Sequence, residues 1–165
     1  MLDISRIRAI TLDLDDTLWP IWPTIARAEK VLIEWLLTVA PGASALLASP
    51  DTSRMLRAQV ASAHAHLSHD LTVLRRETIR AALRQAGEDE SLTDQGFDVF
   101  FAERQRVELF DDAIAALEFL SARHPVVALS NGNADLQAIG IGRYFRASIS
   151  AREFGIAKPD PRIFH

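Results

Sequence analysis

The stretch Arg8-Ala9-Ile10-Thr11-Leu12-Asp13-Leu14-Asp15-Asp16-Thr17-Leu18 runs from apolar, β-prone residues straight into three carboxylates. A short apolar run that ends so abruptly reads as a buried strand emerging into a site, here over about residues 8–14. Side chains at i and i+2 of a strand share a face, so Asp13 and Asp15 are expected to project from one side of the strand end. In open α/β sheets the crevice beyond the carboxyl ends of the strands is where ligands bind.

Downstream, Pro20 and Pro23 punctuate a loop. Ile25, Ala28, Leu32, Trp35, Leu36 and Val39 then recur at the 3-and-4 spacing of a helix's buried face, and Pro41-Gly42 ends that helix. Three more helices are predicted at about 52–66, 71–86 and 92–108, with Asp51 and Asp70 as N-caps and Gly87 as a C-cap. Asp111-Asp112 opens a further helix through Ile114, Leu117 and Leu120. Pro125-Val126-Val127-Ala128-Leu129 is a second buried strand, ending in the polar turn Ser130-Asn131-Gly132-Asn133. A short helix at about 134–140 leads to a third strand, Ala147-Ser148-Ile149-Ser150, and then to Lys158-Pro159-Asp160-Pro161, where Asp160 caps a helix with Pro161 in its first turn.

About 110 residues separate Asp13 from Val126, whereas a βαβ unit needs only about 30. The helix at about 112–122 can serve as the crossover. What remains is an all-helical insertion, so the expected architecture is α/β: a Rossmann-like parallel-sheet core from residues 1–19 and 109–165, with a helical domain over 20–108. Consecutive strand ends then bring an acid pair, the Ser130 hydroxyl, the backbone amides after it and Lys158 to one crevice, a set suited to an anion and a metal ion.

The composition narrows the class. The 165 residues carry a formal net charge of −4 and no cysteine, which excludes disulfide frameworks, thiolate zinc sites and cysteine nucleophiles and points to a reducing, cytoplasmic setting. No apolar run reaches the roughly 18 residues of a membrane helix, and Met1-Leu2-Asp3-Ile4-Ser5 lacks the apolar segment of a secretory signal. Neither a membrane nor a nucleic acid is an expected partner, since phosphate-backbone binding needs a clustered basic surface. His64, His66 and His69 read as surface histidines: only His66 and His69 are spaced to converge on a helix. Trp19 and Trp22, directly after the acidic run, are candidates for shielding the site or stacking on a substrate.

These strand ends resemble the motifs of the haloacid dehalogenase (HAD) superfamily. Its D-x-D-x-T after an apolar strand matches Asp13-Leu14-Asp15-Asp16-Thr17. Its apolar strand ending in Ser or Thr matches Val126 to Ser130, and its lysine, often followed by proline, matches Lys158-Pro159. The helical insertion after the first motif resembles a type-1 cap, in the manner of subfamily I. The resemblance implies a Mg²⁺-dependent phosphatase of small soluble phosphomonoesters. Asp13 would be the nucleophile that becomes an aspartyl-phosphate, and Asp15 the general acid and base. Ser130, Asn131 and Lys158 would bind the phosphoryl group, and Asp13 and Asp15 would hold the metal. Asp16 and Thr17 would support the turn, Asp16 standing where glycine is commoner.

Halide-removing members lack the second aspartate, so Asp15 favours phosphoryl transfer. A phosphomutase is the alternative within the superfamily, and a phosphate-binding or interaction module without turnover is the alternative outside enzymology. No motif separates a monomer from a homodimer. The resemblance also implies a fourth strand with further metal-binding acids, yet only Pro159 to His165 follow Lys158. An incomplete product of a longer chain, weak in Mg²⁺ binding and in turnover, is therefore expected.

Overall fold

The computed structural model describes residues 6–164, so the secretory-signal reading at residues 1–5 and the last residue, His165, lie outside the described residues. The chain divides into two compact units, Met1–Ile21 with Gln105–His165, and Trp22–Arg104.

The first unit is built on a three-stranded parallel sheet in the order β1-β2-β3, with β1 Ile10–Leu12, β2 Val126–Ser130 and β3 Ala147–Ser150. Ile10 pairs with Val126 and Leu12 with Ala128 on one side of β2, while Val127 to Ser130 pair with Ala147 to Ser150 on the other. As the central strand β2 is the most apolar and the most buried, as expected for a parallel strand covered on both faces. β1 is shorter than the expected 8–14. Beyond Leu12 the chain turns, because the Leu14 carbonyl accepts both the Thr17 and the Leu18 N–H, at 3.1 and 2.8 Å, which removes Leu14 from any ladder.

Helix α6 (Ala113–Ser121) precedes β2 and buries Ala113 and Leu117 in a core shared with Leu14, Leu18, Trp19 and Ala128. Each of the buried leucines contributes about 1.5–3 kcal/mol. The short helices α7 (Leu136–Ile139) and α8 (Ala151–Phe154) flank β3. Asp135 caps α7 by accepting the Gln137 and Ala138 N–H, and Ser150 with Glu153 forms a capping box on α8.

The second unit is helical: α1 (Ile21–Val39), α2 (Pro41–Ala48), α3 (Pro50–Ala63), α4 (Leu71–Ala86) and α5 (Thr93–Arg104). Its core draws Ala28, Leu32 and Leu36 from α1, Leu56 from α3, Ile79 and Leu83 from α4, and Phe97 and Phe100 from α5. The periodic face of α1 is as read from the sequence except for Val39, which is exposed. Asp70 and Gly87 cap α4 as expected, Asp70 accepting from Thr72 and Val73 N–H at 3.0 Å and Gly87 taking φ +70°.

Pro23, read as part of a loop, lies in the first turn of α1, and α5 stops at Arg104 rather than at about 108. Three further expectations in this unit are corrected. Helix α2 was not anticipated: Pro41-Gly42 does end α1, but Pro41 also starts α2, whose Gly42 and Ala43 N–H groups are capped at 2.8 Å by the Glu88 carboxylate, 46 and 45 residues away. The N-cap of α3 is Ser49, with Asp51 inside its first turn. That helix ends at Ala63, so His66 and His69 leave the regular helix on which their convergence was considered. No group of three or more His, Cys, Asp or Glu side chains that could hold a metal occurs among the described residues, and no described helix is long and apolar enough to cross a membrane.

Candidate active site

Asp13 is the first residue past β1, and the loop that follows is fixed by its own backbone. Leu14, 1% exposed, pulls the chain into the core. The turn closes with Asp16 N–H donating to the Trp19 carbonyl at 2.8 Å, in an isolated parallel bridge between Asp15 and Trp19. Asp16 takes φ +57°, the left-handed conformation that glycine adopts freely. Its carboxylate accepts the Ile21 N–H at 2.9 Å and so tethers the start of α1. The side chain that departs from glycine is thus used as a cap. Thr17 supports the turn through its backbone N–H.

The i, i+2 argument for Asp13 and Asp15 does not carry over, since both lie beyond the end of β1 at Leu12. Asp15 turns its Oδ1 to the Trp19 indole Nε1–H at 2.9 Å. Trp19 itself is fully buried. It therefore offers no face to a substrate, contrary to the stacking role considered for it, because its ring fills the core of the first unit. Trp22, 75% exposed, stands in the first turn of α1.

The other groups come from the end of β2 and the loop after β3. Lys158 Nζ donates to the Leu129 carbonyl at 2.6 Å and lies 2.9 Å from Asp13 Oδ1, which also accepts the Leu14 N–H at 2.8 Å. The Asp13 side chain is 45% exposed and that of Lys158 19%. β1 is an edge of the sheet and ends at Leu12, so nothing covers the carboxylate from that side among the described strands. At such exposure the ion pair is worth about 1 kcal/mol.

Asn131 is the clamp that composition could not reveal: its Oδ1 accepts the Lys158 N–H at 2.7 Å and its Nδ2 donates to the Lys158 carbonyl at 3.0 Å. Ser130, 3% exposed, accepts the Gly132 N–H on its Oγ at 2.9 Å, which leaves its hydroxyl hydrogen as a donor. Past Lys158, Asp160 is gripped by the Arg162 guanidinium at 3.0 and 2.7 Å and by the Arg162 N–H. These contacts hold its carboxyl down from 3.8 to about 2. The structure therefore brings Asp13, Lys158, Asn131 and the adjoining Ser130 together, and attaches Asp15 to Trp19.

The oxygen donors here, a half-exposed carboxylate at Asp13 and the main-chain carbonyl of Asp15, are hard ligands. Mg²⁺ takes one or two carboxylates and keeps waters or substrate phosphate for the rest of its shell, so this donor set fits that ion.

A family model described as haloacid dehalogenase-like hydrolase matches residues 7–165. The chain is 32% identical over 160 residues to the Escherichia coli 5-amino-6-(5-phospho-D-ribitylamino)uracil phosphatase YigB, across 94% of this chain and 66% of that relative. It is also 35% identical over 96 residues to a phosphoserine phosphatase of Thermus thermophilus, across 54% of this chain and 39% of that protein. The chain thus spans about two thirds of the first relative's length and less of the second's. Among solved structures, a 2-haloacid dehalogenase from Pseudomonas syringae pv. Tomato superposes with a TM-score of 0.87 at 34% identity, over 96% of this chain and 70% of that one.

Proposed function

Because the chain belongs to the haloacid dehalogenase-like hydrolase family, we propose that it is the part of a phosphatase that attacks small, soluble phosphomonoesters through Asp13. The observation that carries this reading is the ammonium of Lys158 set 2.9 Å from Asp13 Oδ1 and steered by Asn131 and the Leu129 carbonyl. An anionic carboxylate can approach an anionic phosphate only where positive charge is fixed beside both. The curated relatives, named as phosphatases of phosphorylated metabolites, support that substrate class.

In the proposed reaction an Asp13 carboxylate oxygen attacks phosphorus in line, and the bond to the ester oxygen breaks as the acyl phosphate forms. Asp15 gives the departing oxygen a proton. The same carboxylate then takes a proton from the water that hydrolyses the aspartyl-phosphate, which restores Asp13 and releases phosphate. The Ser130 hydroxyl and the Asn131 N–H hold phosphoryl oxygens, and Lys158 offsets the charge crowded between phosphate and Asp13. Mg²⁺, held by the Asp13 carboxylate and the Asp15 carbonyl, would supply further neutralisation of phosphoryl charge.

The solved relative named as a dehalogenase supports a second reading, displacement of halide from a 2-haloacid. Asp15 weighs against it, since halide leaves without needing a proton while an alkoxide does not. The test is phosphate release from p-nitrophenyl phosphate by the complete protein with Mg²⁺, abolished in Asp13→Asn. Hydrolysis by Asp13→Asn at the wild-type rate sinks the assignment of the nucleophile. Chloride release from 2-chloropropionate without phosphatase activity favours the dehalogenase, and conversion of a sugar phosphate to its isomer favours a mutase.

A further inference from the structure

We propose that Trp19 is the positioning residue for Asp15: the indole N–H, fixed by the core, holds the carboxyl that exchanges protons with the leaving group and with water. This rests on the phosphatase reading above.

Two constraints meet in this pair. The Trp19 ring is fully buried among Leu14, Leu18, Leu117, Leu136 and Ile141, where close packing leaves one rotamer. Its Nε1–H, which inside a core must find an acceptor, finds Asp15 Oδ1 at 2.9 Å. The backbone fixes the other end. The Asp15–Trp19 bridge and the Asp16 N–H bond to the Trp19 carbonyl at 2.8 Å close a five-residue loop, so the two side chains leave adjacent, mutually locked positions.

An aspartate in a loop otherwise samples several rotamers. A general acid out of place by about an ångström loses much of its effect. The bland alternative is that Asp15 exists to satisfy a buried indole. That alternative makes the pair a matter of stability alone, independent of how hard the leaving group is to expel. A positioning role makes a different demand: loss of the N–H must hurt in proportion to the need for proton donation.

The experiment replaces Trp19 in the complete protein with β-(3-benzothienyl)alanine, which exchanges the N–H for sulfur at almost constant shape. Trp19→Phe serves as the genetically encoded second variant. Because kcat/KM reports the step in which the leaving group departs, it is compared for an alkyl phosphate and for 2,4-dinitrophenyl phosphate. General acid catalysis is worth about 10²–10⁴-fold. The expected outcome is therefore a loss of at least about tenfold on the alkyl ester, and of less than about twofold on the dinitrophenyl ester, whose leaving group departs without a proton. In an Asp15→Ala background the same replacement is expected to have no further effect on the alkyl ester. Equal losses on both esters, or a loss that persists without Asp15, overturn the proposal.

A readout independent of turnover is the indole N–H resonance of Trp19 in the ¹⁵N-labelled protein. It is expected to exchange slowly with solvent and to shift in Asp15→Ala, while the signals of Trp22 and Trp35 stay in place. An unmoved Trp19 signal refutes the contact itself. If the signal moves but neither ester is hydrolysed by the wild type, it is the phosphatase reading that fails and the hydrogen bond that stands.

Discussion

Replacing Asn131 with alanine deletes two hydrogen bonds that span 27 residues of sequence, Lys158 N–H to Oδ1 at 2.7 Å and Nδ2 to the Lys158 carbonyl at 3.0 Å. Each is worth about 1 kcal/mol net. Together they bias the loop towards the position in which Lys158 Nζ sits 2.9 Å from Asp13 by about 2 kcal/mol, close to 30-fold in population. Both bonds are part-buried, so water replaces them only incompletely. Hydrogen exchange reads the effect directly. The Lys158 amide is protected by Asn131 and is expected to exchange about 30-fold faster in Asn131→Ala, whereas amides of β2 away from the loop keep their rates. Asn131→Asp keeps an acceptor for the Lys158 N–H but loses the donor to its carbonyl, and is expected to fall between wild type and alanine, at about fivefold. In the complete protein, kcat/KM for a phosphomonoester is expected to fall in the same order, because the population with the ammonium in place is what reacts. A Lys158 amide that exchanges within about twofold of wild type in folded Asn131→Ala would mean that the loop is held by something else, and the clamp argument would be wrong.

Asp16 combines φ +57° with a cap on the Ile21 N–H, and two substitutions separate the terms. Asp16→Ala loses the cap and keeps the strain, at a cost of about 1–2 kcal/mol. Asp16→Gly loses the cap but relaxes the backbone, so it is expected near wild type in a urea titration; equal losses in both would refute the balance. In the helical unit, burial lowers the pKa of the Arg75 guanidinium, and Glu29 Oε1 at 2.9 Å opposes that shift. Glu29→Ala leaves Arg75 and Arg57 without this carboxylate and is expected to cost about 2 kcal/mol, below the 3–5 of a fully buried pair because Glu29 is 31% exposed; a change under about 0.5 kcal/mol would contradict it. The Asp160 carboxyl is lowered from 3.8 to about 2 in the folded state. A group with a depressed folded pKa stabilises above its unfolded pKa and loses that contribution as pH falls through the folded one. Acid unfolding between about pH 4 and pH 2 is therefore expected to be less steep in Asp160→Asn than in wild type, and identical acid profiles would show the pair to be inert.

The two strands of the chemistry differ in how far they could be read from sequence, and the reason is range. Asp13, Asp15, Ser130 and Lys158 stand out because each closes an apolar run or opens a turn within a few residues, a local pattern that a single sequence displays. So do Asp70 and Gly87, whose capping roles involve near neighbours. What went unread are partnerships across the chain. Glu88 caps α2 from 46 residues away, so the one local start signal of α2 is Pro41 at its first position, and Pro41-Gly42 read only as an end. Asn131 reaches Lys158 across 27 residues, and a turn asparagine has no feature that distinguishes such a clamp from an ordinary loop residue.

Trp19 stands between these cases, and it shows why burial misleads when read from composition alone. An aromatic residue next to an acidic motif invites a role facing the substrate, yet the close apolar neighbours Leu14 and Leu18 that make it attractive are the ones that bury it. Its function must then pass through the single polar atom of its side chain, and that atom donates to Asp15. The same reasoning runs the other way for Asp13. Ile10 and Leu12 make the run before it apolar, yet the Asp13 side chain is 45% exposed and its Oδ1 lies 2.9 Å from Lys158 Nζ. A cation fixed beside the carboxylate is what an anionic nucleophile needs in order to approach a phosphate, and Lys158 meets that need from the loop after β3, far from the apolar run that precedes Asp13.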